Sequence, residues 1–450
     1  MPEQYDPYWI RSVTDLGDRR PILTQRDIHA DTGARLVARG TSLDSSARER
    51  LLQHKLLTGL EHCSRIENAV GPAQLRRAMA ELRDADPLLG ALFASVGQQL
   101  APLELLLEVP VPNPLAFKLT VAREQRPGLF NHTLVIAVIA LYLAVRAGWN
   151  RPAVVRAVTA ALAHDLGELH LDPEMLRAGH RLDQAERQAL HGHPRIAHRL
   201  LKETPELHPA IARAVLEHHE RLDGSGYPQG LTAAAISPLG RLLAVAEVAA
   251  SRFDSEGVCH DPQGLATVLR LNSHKLDAGF TGLLAPVALH SAPPDNDTDR
   301  SGFESRLYTV SDLFQQWEQA TAAQAGREGP QMEAAIVEFI TEQVWALRTQ
   351  LLDAGFNPRD PDTVLALVAE DERFMLEVDD LLDEATWQFD SLAHEVARRW
   401  PTVLARLGEA CPLLAWLARA RETRPPPAMP EEVEERPREA PAAPDPDPGA

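Results

Sequence analysis

The sequence predicts a mainly helical protein with a small N-terminal α/β module and a C-terminal helical bundle. Three patterns carry this prediction: a hairpin near the N-terminus, a series of amphipathic helical stretches with capping residues in the middle, and a late seam of apolar residues spaced by fours and threes. A length of 450 residues, with 44% hydrophobic and 24% charged residues, is typical of a globular chain of two or three domains.

Residues 1–66 are predicted to form the small α/β module. The stretch 22–43 predicts two short strands around a turn at Gly33, because glycine adopts the positive φ that a tight hairpin needs. Ser46 and Glu49 match a capping box, which predicts that a short helix begins there. Nothing in this module carries evident chemistry.

A helical connector is expected over residues 67–120, followed by a helical domain over residues 121–290. Asn150 and Ser237 each stand shortly before a proline, which predicts helix starts with proline in the first turn. Asp183 heads a second capping-box match. The middle of the chain is therefore predicted to be a set of helices with clear ends.

The C-terminal part is predicted to consist of a linker at 291–305, a helical bundle at 306–420 and a disordered tail rich in proline and acid at 421–450. One long helix of the bundle should end near Gly355. Its apolar seam is expected to be core rather than a partner-binding face. The seam consists of Met332, Ile336, Ile340, Val344, Leu347 and Leu351.

The net charge of −19 excludes a general binder of nucleic-acid polymers, since the chain would repel a phosphate backbone. The N-terminus has no basic and apolar leader pattern, and the longest apolar run, Leu134–Val145, is too short to span a bilayer. We therefore expect a cytoplasmic protein without a membrane span. Three widely spaced cysteines predict neither a disulfide framework nor a thiolate zinc site.

Histidines and acids of the middle domain form an ordered series, with one set per predicted helix and 25 to 32 residues between sets. Imidazoles with a few carboxylates and no thiolate suit iron, manganese or zinc, and a carboxylate can bridge two ions. Such a pair of ions fits phosphoester hydrolysis. The series is His132, His164, Asp165, His193, His218, His219 and Glu247. The other histidines of this region are predicted to lie at the surface: His170, His180, His191, His198 and His208.

The same residues resemble the HD-GYP family, a branch of the HD-domain metal-dependent phosphohydrolases that hydrolyse the bacterial messenger cyclic di-GMP. The stretch "HDLG" at His164 carries the HD doublet, and "HHERLDGSGYPQGL" from His218 carries the GYP loop nearly in full. The doublet followed by this loop is a specific signal, and the likeness runs over about 121–290. The resemblance implies an HD-type helical domain there.

The resemblance also implies a ligand set for two divalent transition-metal ions, with iron or manganese expected. One ion would be held by His132, His164, Asp165 and Glu247, and the second by Asp165, His193, His218 and His219. The loop is implied to lie near the active site and to contact substrate or partners that carry GGDEF domains. Its residues are Asp223, Gly224, Gly226, Tyr227 and Pro228.

The sequence departs from the family pattern at the catalytic centre that the resemblance implies. Glu168 stands where the family usually has a lysine that contacts the substrate phosphate, and Glu247 stands where it usually has aspartate. Gly128 takes the place of a glutamate ligand of trinuclear members, which favours a two-metal site. The basic, aromatic loop after the last ligand helix is missing, with Arg252 as its only cation.

The first functional interpretation is a cyclic di-GMP phosphodiesterase in which a hydroxide between two metal ions attacks the phosphodiester, with Asp165, His164 and Glu168 at the catalytic centre. The alternative is a weak or inactive HD-GYP protein that acts as a signalling scaffold. It is suggested by Glu168, which replaces the usual lysine. A third interpretation, a hydrolase of another nucleotide, would leave the GYP loop unexplained.

Overall fold

The computed structural model is mainly helical with four short strands in the part of the chain that it describes, which confirms the predicted fold class. The described residues are 6–97, 101–177, 180, 182–290, 300–324, 331–370, 372–402, 404 and 411–422.

The N-terminal module contains two antiparallel strand pairs and three helices. The predicted hairpin is formed by β2 and β3, and Gly33 adopts a φ of +86° in its turn. The strand β1 pairs instead with β4, at the far end of the module. The predicted cap at Ser46 is wrong, because the Asp44 side chain accepts the hydrogen bond from the Ser46 backbone. The elements are α1 Pro7–Gly17, β1 Ile22–Thr24, β2 Ile28–His29, β3 Arg35–Val37, α2 Ser45–Leu52, α3 Leu60–Cys63 and β4 Ser64–Ile66.

The connector and the middle region are helical, as predicted. Asn150, Asp183 and Ser237 each cap a helix with their own side chain. The connector helices are α4 Pro72–Ala85, α5 Pro87–Val96, α6 Pro102–Leu105 and α7 Asn113–Gln125. The middle helices are α8 Pro127–Arg146, α9 Arg151–Ala163, α10 Gln184–Leu190, α11 His193–Lys202, α12 Pro209–Glu217, α13 Pro238–Ala250, α14 Pro262–Leu271 and α15 Ala278–Leu289. Short 3-10 turns lie at Leu106–Glu108, Leu166–His170, Pro173–Leu176 and Ala233–Ala235.

A single continuous hydrophobic core joins the N-terminal module, the connector and the middle helices. The helix α8 runs through it and has a mean hydropathy of 2.0 over its most apolar window. By length and composition α8 alone, among the described helices, meets the criterion for a membrane-crossing helix. However, 72% of that window is buried inside the protein, where α8 packs against α9 and α13. Its apolar character is therefore explained by its place in the core.

The C-terminal helices pack around a second core, and the predicted apolar seam lies inside it: Ile336, Ile340, Val344, Leu347 and Leu351 are all buried. The linker prediction was wrong for residues 300–305, which are already helical; residues 291–299 and the tail beyond residue 422 lie outside the described part. Gly355, with a φ of +89°, follows α17 as predicted. The helices are α16 Arg300–Gln324, α17 Gln331–Asp353, α18 Pro361–Glu370, α19 Glu372–Arg399 and α20 Pro412–Glu422.

The helix α19 docks this bundle onto the middle helices through buried polar contacts. The Asn272 amide donates to the Glu384 carboxylate over 2.7 Å. The Lys275 ammonium donates to the Gln388 side chain over 3.3 Å. Because these two acceptors are one helical turn apart, one face of α19 is held against the end of α14 and the loop that follows it.

A buried ion pair connects the N-terminal module to the connector. The Lys118 ammonium lies 3.0 Å from the Glu61 carboxylate, and both side chains are only 2% exposed. Lys118 also lies 2.9 Å from Nε2 of His170 and 3.9 Å from the centre of the Trp9 ring. Asp6 contacts the other ring nitrogen of His170. The prediction that His170 is a surface residue was wrong, since its side chain is 10% exposed and belongs to this network.

Candidate metal centre

Five separate helices bring the predicted series of histidines and acids to one place. His132 lies in the second turn of α8, Glu247 lies near the end of α13, and His193 begins α11. His164 and His218 are the C-cap residues of α9 and α12. Helix ends therefore supply most of the donors, and the helical packing of the core determines where they meet.

The turn after α9 allows the Asp165 carboxylate to reach the start of α11. A Cβ atom on Gly167 would lie 2.1 Å from the carbonyl oxygen of His193, which is closer than any side chain tolerates. Glycine at this position therefore permits the backbone of the HD turn to lie directly on the first residue of α11.

The first group of donors gathers around the Oδ2 atom of Asp165. Nε2 of His164 lies 2.9 Å from it and Nε2 of His132 lies 3.6 Å from it. Oε2 of Glu247 lies 3.3 Å from His164 Nε2 and 3.5 Å from His132 Nε2. The longer glutamate side chain at position 247 thus still brings its oxygen into the group.

The second group gathers around the other oxygen of the same carboxylate. Oδ1 of Asp165 lies 3.1 Å from Nε2 of His193 and 3.4 Å from Nε2 of His218. The two Nε2 atoms are 3.2 Å apart. His219 completes the group, in which all donor atoms lie within 4.8 Å of one another. The two predicted ligand sets therefore occur as two spatial groups that share Asp165.

Backbone carbonyls orient three of these imidazoles. Nδ1 of His164 lies 2.7 Å from the carbonyl of Ala161, and the Nδ1 atoms of His193 and His218 make the same contact three residues back in the chain. A carbonyl can only accept, so each Nδ1 must carry its hydrogen and each Nε2 of a neutral ring presents a lone pair. All three lone pairs point to the shared carboxylate.

These donor atoms fit divalent metal ions. The side-chain atoms His164 Nε2, Asp165 Oδ1 and Glu247 Oε2 are buried without a hydrogen-bond partner, which is costly for acceptors that face one another. A cation between them removes this cost. Metal–ligand bonds of about 2.0–2.2 Å place neighbouring ligand atoms roughly 3.0–3.5 Å apart. The measured separations of 2.9 to 3.6 Å match that range.

In the metal-free protein, protonation of imidazoles supplies the positive charge that balances the carboxylates of the donor groups. Burial opposes charge on His164, but the adjacent Asp165 carboxylate outweighs it and raises the pKa of His164 well above 6.5. The neighbouring imidazoles likewise hold the pKa of Asp165 well below its usual value, despite burial. Burial, with the charge of His218, lowers the pKa of His219. Metal ions must displace these protons, so their binding weakens in acid.

The GYP loop encloses the second donor group. Gly224 has a φ of +80°, and a Cβ atom on Gly226 would lie 2.4 Å from the carbonyl of His219, so both positions require glycine. Ser225 donates to Asp223 from its backbone and its hydroxyl. The loop is closed by the Glu220 carboxylate, which accepts from the backbone amides of residues 229 and 231.

Tyr227 orients His219, a donor of the second group, by stacking. Its ring lies 4.5 Å from the His219 ring and 4.2 Å from the His191 ring, with an interplanar angle of 23° in both cases. Both faces of the tyrosine ring are thus covered. The prediction that His191 is a surface residue was wrong, because it packs on Tyr227 and lines the cavity beside the centre.

Glu168 lies in the HD turn but supplies no donor atom to either group in the described part of the chain. Burial and the Asp165 carboxylate raise its pKa to about 7 in the metal-free protein. Cations bound at Asp165 would lower this pKa again by direct attraction. The protonation state of the Glu168 carboxyl group therefore depends on whether the donor groups beside it bind cations.

A cavity of about 570 Å³ opens beside the centre, with His219 and Glu247 in its wall. Two features of this cavity were missed by sequence reasoning. Arg221 of the GYP motif lines it and donates to the Glu220 carbonyl over 3.0 Å, which places a cation near the ligands. The helix α19 of the C-terminal bundle supplies further residues of the cavity wall. Arginine inside the motif could have been noticed; the contribution of α19 has no local sequence signal.

Comparison with known proteins finds similarity over this region of the chain. The family model described as HD domain matches residues 118–255, which include all seven donor residues. The chain is 31% identical over 119 residues to cyclic di-GMP phosphodiesterase PA4108 of Pseudomonas aeruginosa, covering 26% of this chain and 29% of that protein. It is 38% identical over 90 residues to the cyclic di-GMP phosphodiesterase response regulator RpfG of Xanthomonas campestris, covering 20% of this chain and 24% of that protein.

A third relative differs in its named substrate. The 3'3'-cGAMP-specific phosphodiesterase 1 of Vibrio cholerae is 33% identical over 119 residues, covering 26% of this chain and 27% of that protein. Among solved structures, the HDG"Y"P protein Bd1817 of Bdellovibrio bacteriovorus matches with a TM-score of 0.33 and 14% identity, covering 59% of this chain and 94% of that one. The aligned parts span less than a third of the three curated relatives. Residues 118–255, which hold both donor groups, thus match the HD domain family and are similar to parts of proteins named as cyclic dinucleotide phosphodiesterases.

Proposed function

We propose that this protein is a metal-dependent phosphodiesterase that hydrolyses cyclic di-GMP. The observation that carries the proposal is the pair of donor groups joined by the two oxygens of Asp165. The names of the aligned relatives support a cyclic dinucleotide as substrate, and two of them specify cyclic di-GMP. Iron or manganese suits the mixture of imidazole and carboxylate donors.

Two divalent ions held by these residues would supply Lewis acidity and concentrated positive charge next to a phosphodiester. The chain supplies the arrangement. Backbone carbonyls hold the Nε2 atoms of His164, His193 and His218 toward Asp165. The stack on Tyr227 orients His219. Arg221, in the cavity wall, is placed to pair with a phosphate oxygen of the bound substrate.

The direct test is a turnover assay combined with metal quantification on the full chain. Protein loaded anaerobically with iron or manganese should contain about two equivalents of metal and should hydrolyse cyclic di-GMP. 3'3'-cGAMP in a parallel assay determines whether the substrate is the one named for the third relative. Absence of hydrolysis of both dinucleotides by metal-replete protein would refute the enzymatic proposal.

Replacement of Glu168 by lysine is expected to increase kcat/KM for cyclic di-GMP by roughly tenfold. The change removes a carboxylate and adds a cation near the substrate phosphate. At an effective dielectric constant of about 20, unit charges about 4 Å apart interact by about 4 kcal/mol, so a tenfold gain, about 1.4 kcal/mol, is a conservative expectation. Steady-state kinetics with metal content measured in parallel provides the check.

The matched control for this substitution is Glu174→Lys. Glu174 is exposed on the next 3-10 turn and pairs with Arg177, so the same charge change occurs at the surface instead of beside Asp165. Its kinetics should equal those of the wild type. An unchanged or lower rate for Glu168→Lys would show that Glu168 has a role of its own.

The alternative function, a signalling scaffold that binds GGDEF-type partners through the GYP loop, must account for an intramolecular contact. Arg398 donates to the carbonyl of Gly226 over 2.9 Å, and Arg399 donates to the carbonyl of Gly224. Glu395 holds both guanidinium groups. A partner that uses these carbonyls must first displace the end of α19, which favours the enzymatic proposal over a scaffold.

A further inference from the structure

The cavity beside the metal centre has one wall that the HD domain does not supply. On one side it is lined by His219, Glu247 and Arg221, and on the other by residues of α19, including Glu384 and Trp387. Its volume of about 570 Å³ falls within the range of roughly 300–1,000 Å³ that is typical of small-molecule sites. Because His219 and Glu247 line this space, a dinucleotide with its phosphate at the metal centre can place a base in it.

Trp387 is suited to receive such a base. It is 41% exposed and lies in the wall of the cavity. Tyr227, the other large aromatic side chain of the cavity wall, has both ring faces covered by His191 and His219. Trp387 is therefore the side chain of this wall that presents an accessible aromatic surface.

The turn of α19 that carries Trp387 is held in place from both sides. Glu384 accepts a hydrogen bond from Asn272 over 2.7 Å, and Gln388 accepts one from Lys275 over 3.3 Å. Gln388 also donates to Glu384 over 3.0 Å. These bonds fix the backbone on each side of position 387, so binding of a base need not order this turn of the helix.

We propose that α19 completes the substrate site and that Trp387 stacks on a guanine base of the bound cyclic dinucleotide. The C-terminal bundle is then a determinant of substrate binding rather than a separate module. This inference rests on the proposed function, since it assigns a binding residue for the same substrate.

The test uses the full chain loaded with metal and compares wild type with Trp387→Ala and Trp387→Phe. Stacking of a base on an aromatic side chain accounts for a roughly 10- to 100-fold effect on binding. KM for cyclic di-GMP should therefore rise about 10- to 100-fold in Trp387→Ala, with metal content unchanged. Trp387→Phe should stay within a few-fold of wild type, because a phenyl ring still stacks.

Tryptophan fluorescence tests the stacking directly, because a purely structural role of Trp387 would not produce quenching by the bound dinucleotide. A stacked guanine quenches an indole, so cyclic di-GMP should quench the tryptophan emission of the wild type and much less that of Trp387→Phe. Trp345→Phe is the matched control, because Trp345 is 59% exposed on α17 and lies outside the cavity wall. It should retain the full quenching and the wild-type KM.

The outcomes separate the two proposals. Hydrolysis by wild type with an unaltered KM and unaltered quenching in the Trp387 variants overturns this inference and leaves the proposed function standing. Binding without hydrolysis by wild type, lost in Trp387→Ala, supports the inference and refutes the activity. Failure of wild type both to bind and to hydrolyse cyclic di-GMP overturns both.

Discussion

Replacement of Asp165 by asparagine is expected to remove both metal ions and to lower turnover at least 100-fold. Among the residues that the structure describes, Asp165 alone takes part in both donor groups, through Oδ2 with His164 and through Oδ1 with His193. An amide carries no charge and offers only one oxygen. Loss of a residue that merely supports a metal ligand already costs about 10- to 100-fold. Metal analysis after gel filtration, together with initial rates, measures both effects.

Variants that alter only one of the two donor groups test the shared role of Asp165 further. His132→Ala affects only the group at Oδ2, and His193→Ala affects only the group at Oδ1, so each should retain about half of the bound metal. Asp172→Asn is the control, because this acid lies seven residues after Asp165 in the chain and bonds to Tyr8 instead of the donor groups. Two full equivalents of metal in Asp165→Asn would contradict the shared-ligand arrangement.

Replacement of Lys118 by methionine is expected to destabilise the protein by about 3–5 kcal/mol. The substitution would leave the Glu61 carboxylate buried without its partner, and an uncompensated buried charge costs about this much. Urea unfolding followed by far-ultraviolet circular dichroism measures the change in the free energy of unfolding. The double variant Glu61→Leu/Lys118→Met removes both charges and should recover most of the loss.

Acid should weaken the same contact. Burial alone would raise the pKa of Glu61, but the Lys118 ammonium, with a smaller effect of His170, lowers it to about 2 from an ordinary value of 4.5. Because the pKa of Glu61 is lower in the folded state, the pair's contribution to the free energy of unfolding is complete above about pH 4.5. It is lost as the pH falls toward 2.

The difference in the free energy of unfolding between wild type and Lys118→Met should therefore narrow over that range. Arg151→Met breaks the exposed pair with Glu108 and serves as the control, with an unchanged urea midpoint. An equally small change in Lys118→Met would contradict the assigned role of the buried pair.

Local chemistry was readable from the sequence. Asn150, Asp183 and Ser237 begin helices because their side chains bond to amides only a few residues away. Where two candidate caps stand close together the local rule is ambiguous, and at α2 the cap is Asp44 rather than Ser46. The donor residues could be selected because their types and order match both metal chemistry and the family pattern.

Surface and interior positions were less predictable for isolated polar residues. His170 and His191 have no distinctive neighbours in the sequence, yet one bonds within a buried network and the other stacks on Tyr227. Their partners Lys118 and Tyr227 lie 52 and 36 residues away in the chain. Contacts over such separations depend on how helices pack, which a local pattern does not encode.

The sequence by itself determined the helical class, the helix starts and the turn glycines, because each depends on residue type and short-range spacing. The candidate donor side chains were also readable from it, because their types and their order along the chain match metal chemistry and the family pattern. Only the tertiary structure decided that the two oxygens of Asp165 face different groups, that Lys118 is paired inside the core, and that α19 lines the cavity with Trp387. The physical reason is that these features arise where separate helices meet, and the positions of those meetings follow from the packing of the whole chain.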